Sequence, residues 1–394
     1  MHRDFLILPC TVLILTVMVA GESVCADSPA KFFDTGRTSI TAATTSGQST
    51  REHIADRNER YLRQLEEGLR AWLVDQYPER AAKAWNRSYG DIDDFLKSVA
   101  PNRERWRAII APPGLVATGP LEHSPHPMFA EIGGEWLRLP LGPIDAEALL
   151  VIPKSEKPVP LVVAQHGIGS FPEKIFGRFD DGNLYHDYGH ALLAAGFAVL
   201  APFNLATVER RNRIERLARL ADTTLPGIEL TRLQRLLDEV VKDPRIDGNR
   251  IGMWGISLGG MATMFWVPLE PRLKVAIVTA WFNHRRNKMA VPDERYSCFL
   301  DTREEHAFFR GWLTEFTDSD AVSLICPRPI LIQTGKADRI AWWPQVIEEF
   351  EAAREHYRAL GLADRIQMDL HEGGHEIRVE SGIAFLRRWL ISAD

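Results

Sequence analysis

The amino-acid sequence predicts an α/β protein, a mostly parallel sheet of eight strands with helices on both faces, preceded by a small helical extension. Three observations lead there. From residue 161 onward, short apolar runs alternate with helical stretches, which is how strands buried on both faces of a parallel sheet read. Just before them, two strand-like segments are joined by Gly142-Pro143-Ile144-Asp145, a turn that opens a meander. Upstream of residue 120 the apolar period is helical instead.

At the N-terminus, Arg3, an apolar stretch over 5–20 and Val24-Cys25-Ala26 have the order of a secretory signal peptide cut after Ala26. The run is shorter than the roughly 20 apolar residues of a spanning helix. Val24 stands where a lipid-anchored Cys25 would have a smaller neighbour. Residues 1–26 therefore read as a signal peptide and the protein as exported, periplasmic or extracellular, with no stable membrane span after cleavage. Residues 27–50, rich in Thr, Ser, Gly and Ala, read as a flexible leader. In the extension, 51–120, the residues Ile54, Tyr61, Leu62, Leu65, Leu69, Trp72 and Leu73 recur at three- and four-residue steps and predict an amphipathic helix. A second helix over 91–99 is expected to stop at Pro101.

Residues 121–394 make the sheet domain. Its strands are expected over 135–141, 146–153, 161–165, 198–202, 251–255, 275–279, 330–333 and 366–370. A helix over 345–360 ends at Gly361, the residue that most easily turns left-handed. The last helix follows Ser381 and carries Ile383, Leu386, Trp389 and Leu390 on one face. The stretch 281–320 departs from sheet texture and reads as an insertion able to fold over a cleft. Cys298 and Cys326 remain after signal removal; their spacing is compatible with a disulfide and with two buried thiols. The net charge of −6, with basic residues dispersed among acidic ones, excludes a nucleic-acid partner.

The chemistry concentrates at three places. Ile251 to Trp254 reads as a buried strand, Gly255-Ile256-Ser257-Leu258-Gly259-Gly260 follows, and Met261 to Trp266 starts a helix. Gly-x-Ser-x-Gly between a strand and a helix is the setting in which a sharp turn holds a serine nucleophile toward a cleft. A serine hydroxyl needs a base, and the base needs an acid to hold it in one tautomer. Asp338 lies just past a buried strand, and His375 in a glycine loop after the last one; these are the expected acid and base. The oxyanion of an attacked carbonyl needs two backbone donors, for which Leu258 and Ile168, in Gln165-His166-Gly167-Ile168-Gly169, are positioned. His371-Glu372-Gly373-Gly374-His375 is not helical and lacks a third nearby ligand, so no metal is expected there.

With these motifs, the chain from about Gly133 onward resembles the α/β-hydrolase superfamily, in particular its dienelactone hydrolase and acetyl xylan esterase-like branch. The resemblance rests on the His-Gly-x-Gly loop at His166, the elbow at Ser257, Pro327-Arg328-Pro329 before the acid strand, and the terminal Gly-His. It implies an acyl-enzyme mechanism without a cofactor. Dienelactone hydrolases use a cysteine where Ser257 stands, so esterase chemistry fits better, and Ile168 replaces an aromatic residue frequent in acetyl xylan esterases. The expected substrate is a small-molecule or carbohydrate ester. Substrate contacts are expected from His166, Trp281, Arg285, Trp342 and Trp343, with Phe282, Phe308, Phe309 and Trp312 as further wall and Arg285 with Arg286 meeting a carboxylate such as a uronic acid. Two alternatives remain: a serine peptidase of the prolyl oligopeptidase-like group, and a non-catalytic binding protein on a hydrolase scaffold.

Overall fold

The computed structural model describes residues 50–391, so the expected signal peptide and nearly all of the leader lie outside the described residues. The chain divides into two compact units, Met1–Gly68 and Leu69–Asp394. The described part of the first lies within a helix, Thr50–Arg70, which begins where the sequence pattern changes.

In the second unit, nine strands form one sheet: β1 (Glu122–Pro125), β2 (Glu135–Pro140), β3 (Asp145–Val151), β4 (Val159–Gln165), β5 (Ala198–Pro202), β6 (Ile246–Ile256), β7 (Leu273–Thr279), β8 (Ile330–Gly335) and β9 (Ile366–His371). Their order is β1-β2-β3-β5-β4-β6-β7-β8-β9. The pairs from β1 to β5 are antiparallel, and all those from β5 through β4 to β9 are parallel. Eight strands match those expected; the ninth, β1, is Glu-His-Ser-Pro, exposed at every position and without apolar alternation. Only its pairing with β2 makes it a strand. Apolar clusters lie on both faces of the sheet, as buried parallel strands require.

The extension departs from expectation at Pro101. Asp91 caps a helix by accepting from Asp94 N at 2.8 Å, and that helix runs through Pro101 from Ile92 to Ile110. An interior proline costs about 3 kcal/mol. Against it, Phe95, Val99, Trp106 and Ile110 are completely buried on one face, and each such burial contributes roughly 1.5–3 kcal/mol. Packing outweighs the local rule. The Trp106 indole donates to Phe265 O at 3.1 Å and meets the Phe265 ring edge-on at 4.9 Å, so this helix is part of the core.

At the C-terminus the helix is Val379–Leu390, and Ser381 lies inside it instead of before it. Its hydroxyl accepts from Gln333 Nε2 at 2.9 Å, and a Cβ on Gly382 would fall 2.1 Å from the Trp254 ring. Cys298 and Cys326 are both free and buried. Among the described residues no helix is long and apolar enough to cross a membrane.

The topology decides where a site can form. Strands β4, β6, β7, β8 and β9 are neighbours pointing the same way, so the segments after Gln165, Ile256, Thr279, Gly335 and His371 gather at one rim. Trp106→Ala, which empties the contact on Phe265, should lower unfolding free energy by about 3–5 kcal/mol, read as an earlier denaturation midpoint in urea. An unchanged midpoint would show that the extension is not core.

Candidate active site

The turn between β6 and the helix Leu258–Trp266 is sharp because its glycines leave no alternative occupant. A Cβ on Gly255 would lie 2.1 Å from Gly259 O, one on Gly259 2.1 Å from Gln165 O, and one on Gly260 2.8 Å from Thr279 O. Between them Ser257 adopts φ 57 and ψ −117, a left-handed conformation rare for a side-chain-bearing residue. Such strain costs on the order of 1–3 kcal/mol and persists only where the surroundings enforce it. Here Ser257 N donates to Thr279 O and Ser257 O accepts from Met261 N, both at 2.9 Å.

The loop after β4 passes close to this turn. A Cβ on Gly167 would sit 3.3 Å from Ser257 Cβ. Gly167 N donates to the Tyr185 hydroxyl at 2.9 Å, which fixes the loop and turns the next residue, Ile168, to the cavity wall. Leu258, on the same wall, opens its helix, so its N–H has no acceptor within that helix.

The glycines of the last loop serve a third approach. Gly335, at the end of β8, would with a Cβ lie 2.2 Å from Gly374 O and 2.3 Å from Gly373 O. The two loops are tied by Lys336 N to His371 O at 2.8 Å and Ala337 N to Gly373 O at 3.0 Å. Thus His375 Nδ1 donates to Asp338 Oδ2 at 2.8 Å, while Asp338 Oδ1 accepts from Ile340 N at 3.0 Å. The carboxylate is almost wholly buried and the imidazole a quarter exposed. With Nδ1 engaged as donor, Nε2 carries the lone pair.

Ser257, Asp338, His375, Leu258 and Ile168 all line one cavity of about 190 Å³. Apolar side chains, among them Met261, Phe282 and Phe299, form part of its wall, and Arg285, Lys288, Glu304 and His306 form a polar part. Arg285 is completely buried and grips Asp318 through Nε at 3.0 Å and Nη2 at 2.8 Å. Lys288 is surrounded by Ser297 O, Ser297 Oγ and Ile340 O, and burial pulls its pKa down to about 8. Burial raises the Glu304 carboxyl above its ordinary range, with Lys288 and Arg211 opposing.

No protein-family model matches the chain. It is 25% identical over 260 residues to YtaP of Bacillus subtilis (strain 168), provisionally named a hydrolase; the match covers 62% of this chain and 84% of YtaP. Two solved structures are similar. One, from Bacteroides fragilis NCTC 9343 and provisionally named an acetyl xylan esterase, has a TM-score of 0.58 at 18% identity over 77% of this chain and 81% of its own. The other, a carbohydrate esterase family 15 glucuronoyl esterase from Caldicellulosiruptor kristjansonii, has a TM-score of 0.53 at 18% identity over 77% and 87%. The chain has the α/β-hydrolase fold.

Within this fold, several residues expected to contact a substrate stand away from the cavity. His166 is completely buried: its Nδ1 donates to Gly167 O at 2.9 Å and its Nε2 accepts from Asn204 N at 3.3 Å, so it braces the loop. Trp342 and Trp343 do not line the cavity; the Arg295 guanidinium covers Trp342 at 3.8 Å, and Ile340 and Ala341 take that wall. Arg286 turns to Val74 O at 3.0 Å and to the Tyr77 ring. Phe309 and Trp312 pack on Phe265 at 5.3 and 5.1 Å, in the main core beside the helix Leu258–Trp266, whereas Trp281, Phe282 and Arg285 do line the cavity. Sequence reasoning missed Lys288, Glu304 and His306. Lys288 lies in a six-residue helix and Glu304 and His306 at a three-residue turn, all too short for a periodicity that marks an inward side chain.

Burial holds His306 at a pKa of about 3 and His166 at about 4, so both are neutral in the folded protein. The unfolded chain, with histidines near 6.5, binds more protons below that pH, so stability falls as pH drops from about 6.5 toward 4. His306→Gln should make that loss shallower by about 1.4 kcal/mol per pH unit, measured as urea midpoints across the range. Equal slopes for both proteins would contradict a neutral, buried His306.

Proposed function

We propose that the protein is a serine carboxylic ester hydrolase with Ser257 as nucleophile, His375 as general base and acid, and Asp338 as the orienting carboxylate. What carries this reading is one cavity that collects a backbone-strained serine at a strand-to-helix turn and an imidazole whose Nδ1 is held by a buried carboxylate.

Ser257 Oγ attacks the ester carbonyl carbon as His375 Nε2 takes its proton. The oxyanion accepts from the backbone N–H groups of Leu258 and Ile168, the first of them at a helix N-terminus that favours negative charge. His375 returns the proton to the departing alcohol, leaving the acyl group on Ser257. A water molecule, deprotonated by His375, then attacks the acyl-enzyme, and the proton passes back to Ser257 as the acid leaves. Asp338 keeps the imidazole in the tautomer that presents Nε2 and stabilises the imidazolium.

Esters of carbohydrates are the favoured substrates. The support is the likeness to proteins whose names describe acetyl xylan and glucuronoyl esterases, together with the polar part of the cavity wall. The apolar N-terminal stretch supports export to the periplasm or the extracellular space. Ser257→Ala should abolish turnover of a chromogenic acetyl ester. Asp338→Asn, which disturbs the tautomer but keeps the shape, should lower kcat by about 10³–10⁴. Near-normal rates in either variant would refute these roles, and faster cleavage of a peptide amide than of an acetyl ester would favour a peptidase.

A further inference from the structure

The polar part of the cavity has unspent hydrogen-bond acceptors. Arg285 does not pair with them: it is completely buried, Nε and Nη2 hold Asp318, and Nη2 also donates to Trp281 O at 2.7 Å. Glu304 shares the wall, and its carboxylate has no hydrogen-bond partner among the described residues. Lys288 does not supply one, because its three protons face Ser297 O, Ser297 Oγ and Ile340 O. His306, on the same wall, donates from Nδ1 to Asn212 Oδ1 at 3.0 Å, which leaves Nε2 as a further acceptor.

Two acceptors on the wall of a small cavity select the chemistry that fills it. A hydroxyl donates, so adjacent hydroxyls on one ring satisfy both. An alkyl group leaves them desolvated and unpaired, which is costly. A carboxylate offers acceptors alone. It also meets no net positive charge, since Arg285 is balanced by Asp318, Lys288 lies beside Glu304, and Asp338 adds a further negative charge. We infer that the cavity beside Ser257 reads the hydroxyls of a neutral sugar-like ring, with Glu304 as principal acceptor and His306 Nε2 as the second, and that it discriminates against uronates. The volume of about 190 Å³ is below the roughly 300–1,000 Å³ that holds a drug-sized ligand, so a single ring or smaller group enters, and any remaining chain stays outside.

This inference rests on the hydrolase reading, and the experiment separates the two. With the wild-type full chain, kcat/KM is measured for 4-nitrophenyl acetate, a mono-O-acetylated methyl xyloside, cyclohexyl acetate and an O-acetylated methyl glucuronoside bearing a free carboxylate. The xyloside should be preferred to the cyclohexyl and glucuronoside esters, and methyl xyloside should compete with 4-nitrophenyl acetate where methyl glucuronoside does not. Glu304→Ala should cut the xyloside-to-cyclohexyl preference roughly ten- to hundredfold, with Glu304→Gln, which keeps an acceptor, in between. No turnover of any ester by the wild type would overturn the hydrolase reading and this inference with it. Turnover with no preference for the xyloside, a preference for the glucuronoside, or a preference unchanged in Glu304→Ala would overturn this inference alone. The wild-type comparison stands even if the Glu304 variants fail to fold.

Discussion

The site depends on how closely bare backbone approaches itself at the end of β6. A methyl group on Gly259 would lie 2.1 Å from the carbonyl oxygen of Gln165, and one on Gly255 just as close to Gly259 O. Only glycine lets the following helix start so near the ends of β4 and β6. That closeness forces the left-handed turn at Ser257 and brings the Gly167 loop into contact with it. The same device recurs at Gly335, where the absence of a side chain admits the Gly373-Gly374 loop and thereby sets His375 on Asp338. Both loops are therefore positioned by backbone packing on a rigid sheet, with short hydrogen-bonded ties in place of long flexible side chains.

Around this frame, buried ion pairs fix the insertion. Arg285 and Asp318 are all but inaccessible to water, and Asp318 also accepts from Asn283 N at 2.9 Å, so the guanidinium on the cavity wall has one orientation. One residue away from Asp318, Ser319 N donates to the buried Glu349 at 2.7 Å, and burial raises that carboxyl to about 7. Further along, Asp320 caps the helix Asp318–Ile325 in a reciprocal box with Thr317 and receives Arg87 and the Tyr77 hydroxyl from the extension. Buried pairs of this kind add little net stability, but losing one partner strands a charge. Their effect here is geometric: the extension, the insertion and the cavity wall hold one another in register.

Much of this was legible in the sequence, for identifiable reasons. Strands buried on both faces read as apolar runs, and the expected segment 198–202 coincides with β5 (Ala198–Pro202). The serine turn was legible because its glycines are required by contacts that any chain with this topology must make. Asp338 and His375 were found from their places after β8 and β9, and they meet in space. Pro101 misled because the penalty it carries is local, whereas the burial of Phe95, Val99, Trp106 and Ile110 that outweighs it is tertiary. His166 misled because a histidine beside a glycine loop reads alike whether its ring faces a ligand or braces the backbone; both ring nitrogens prove to be taken by main-chain groups. Glu304 and His306 gave no signal, since the three-residue turn they cap and occupy is too short for a period from which an inward face can be read.

Under the proposed mechanism, the turn at the end of β6 presents Ser257 as an activated nucleophile. Treatment of the intact protein with a fluorophosphonate, followed by mass mapping of the adduct, tests it most directly. One adduct is expected, on the Ser257 hydroxyl, formed rapidly at neutral pH and lost when His375 is replaced by alanine. An unlabelled protein, an adduct on another residue, or labelling at the same rate without the imidazole would contradict it.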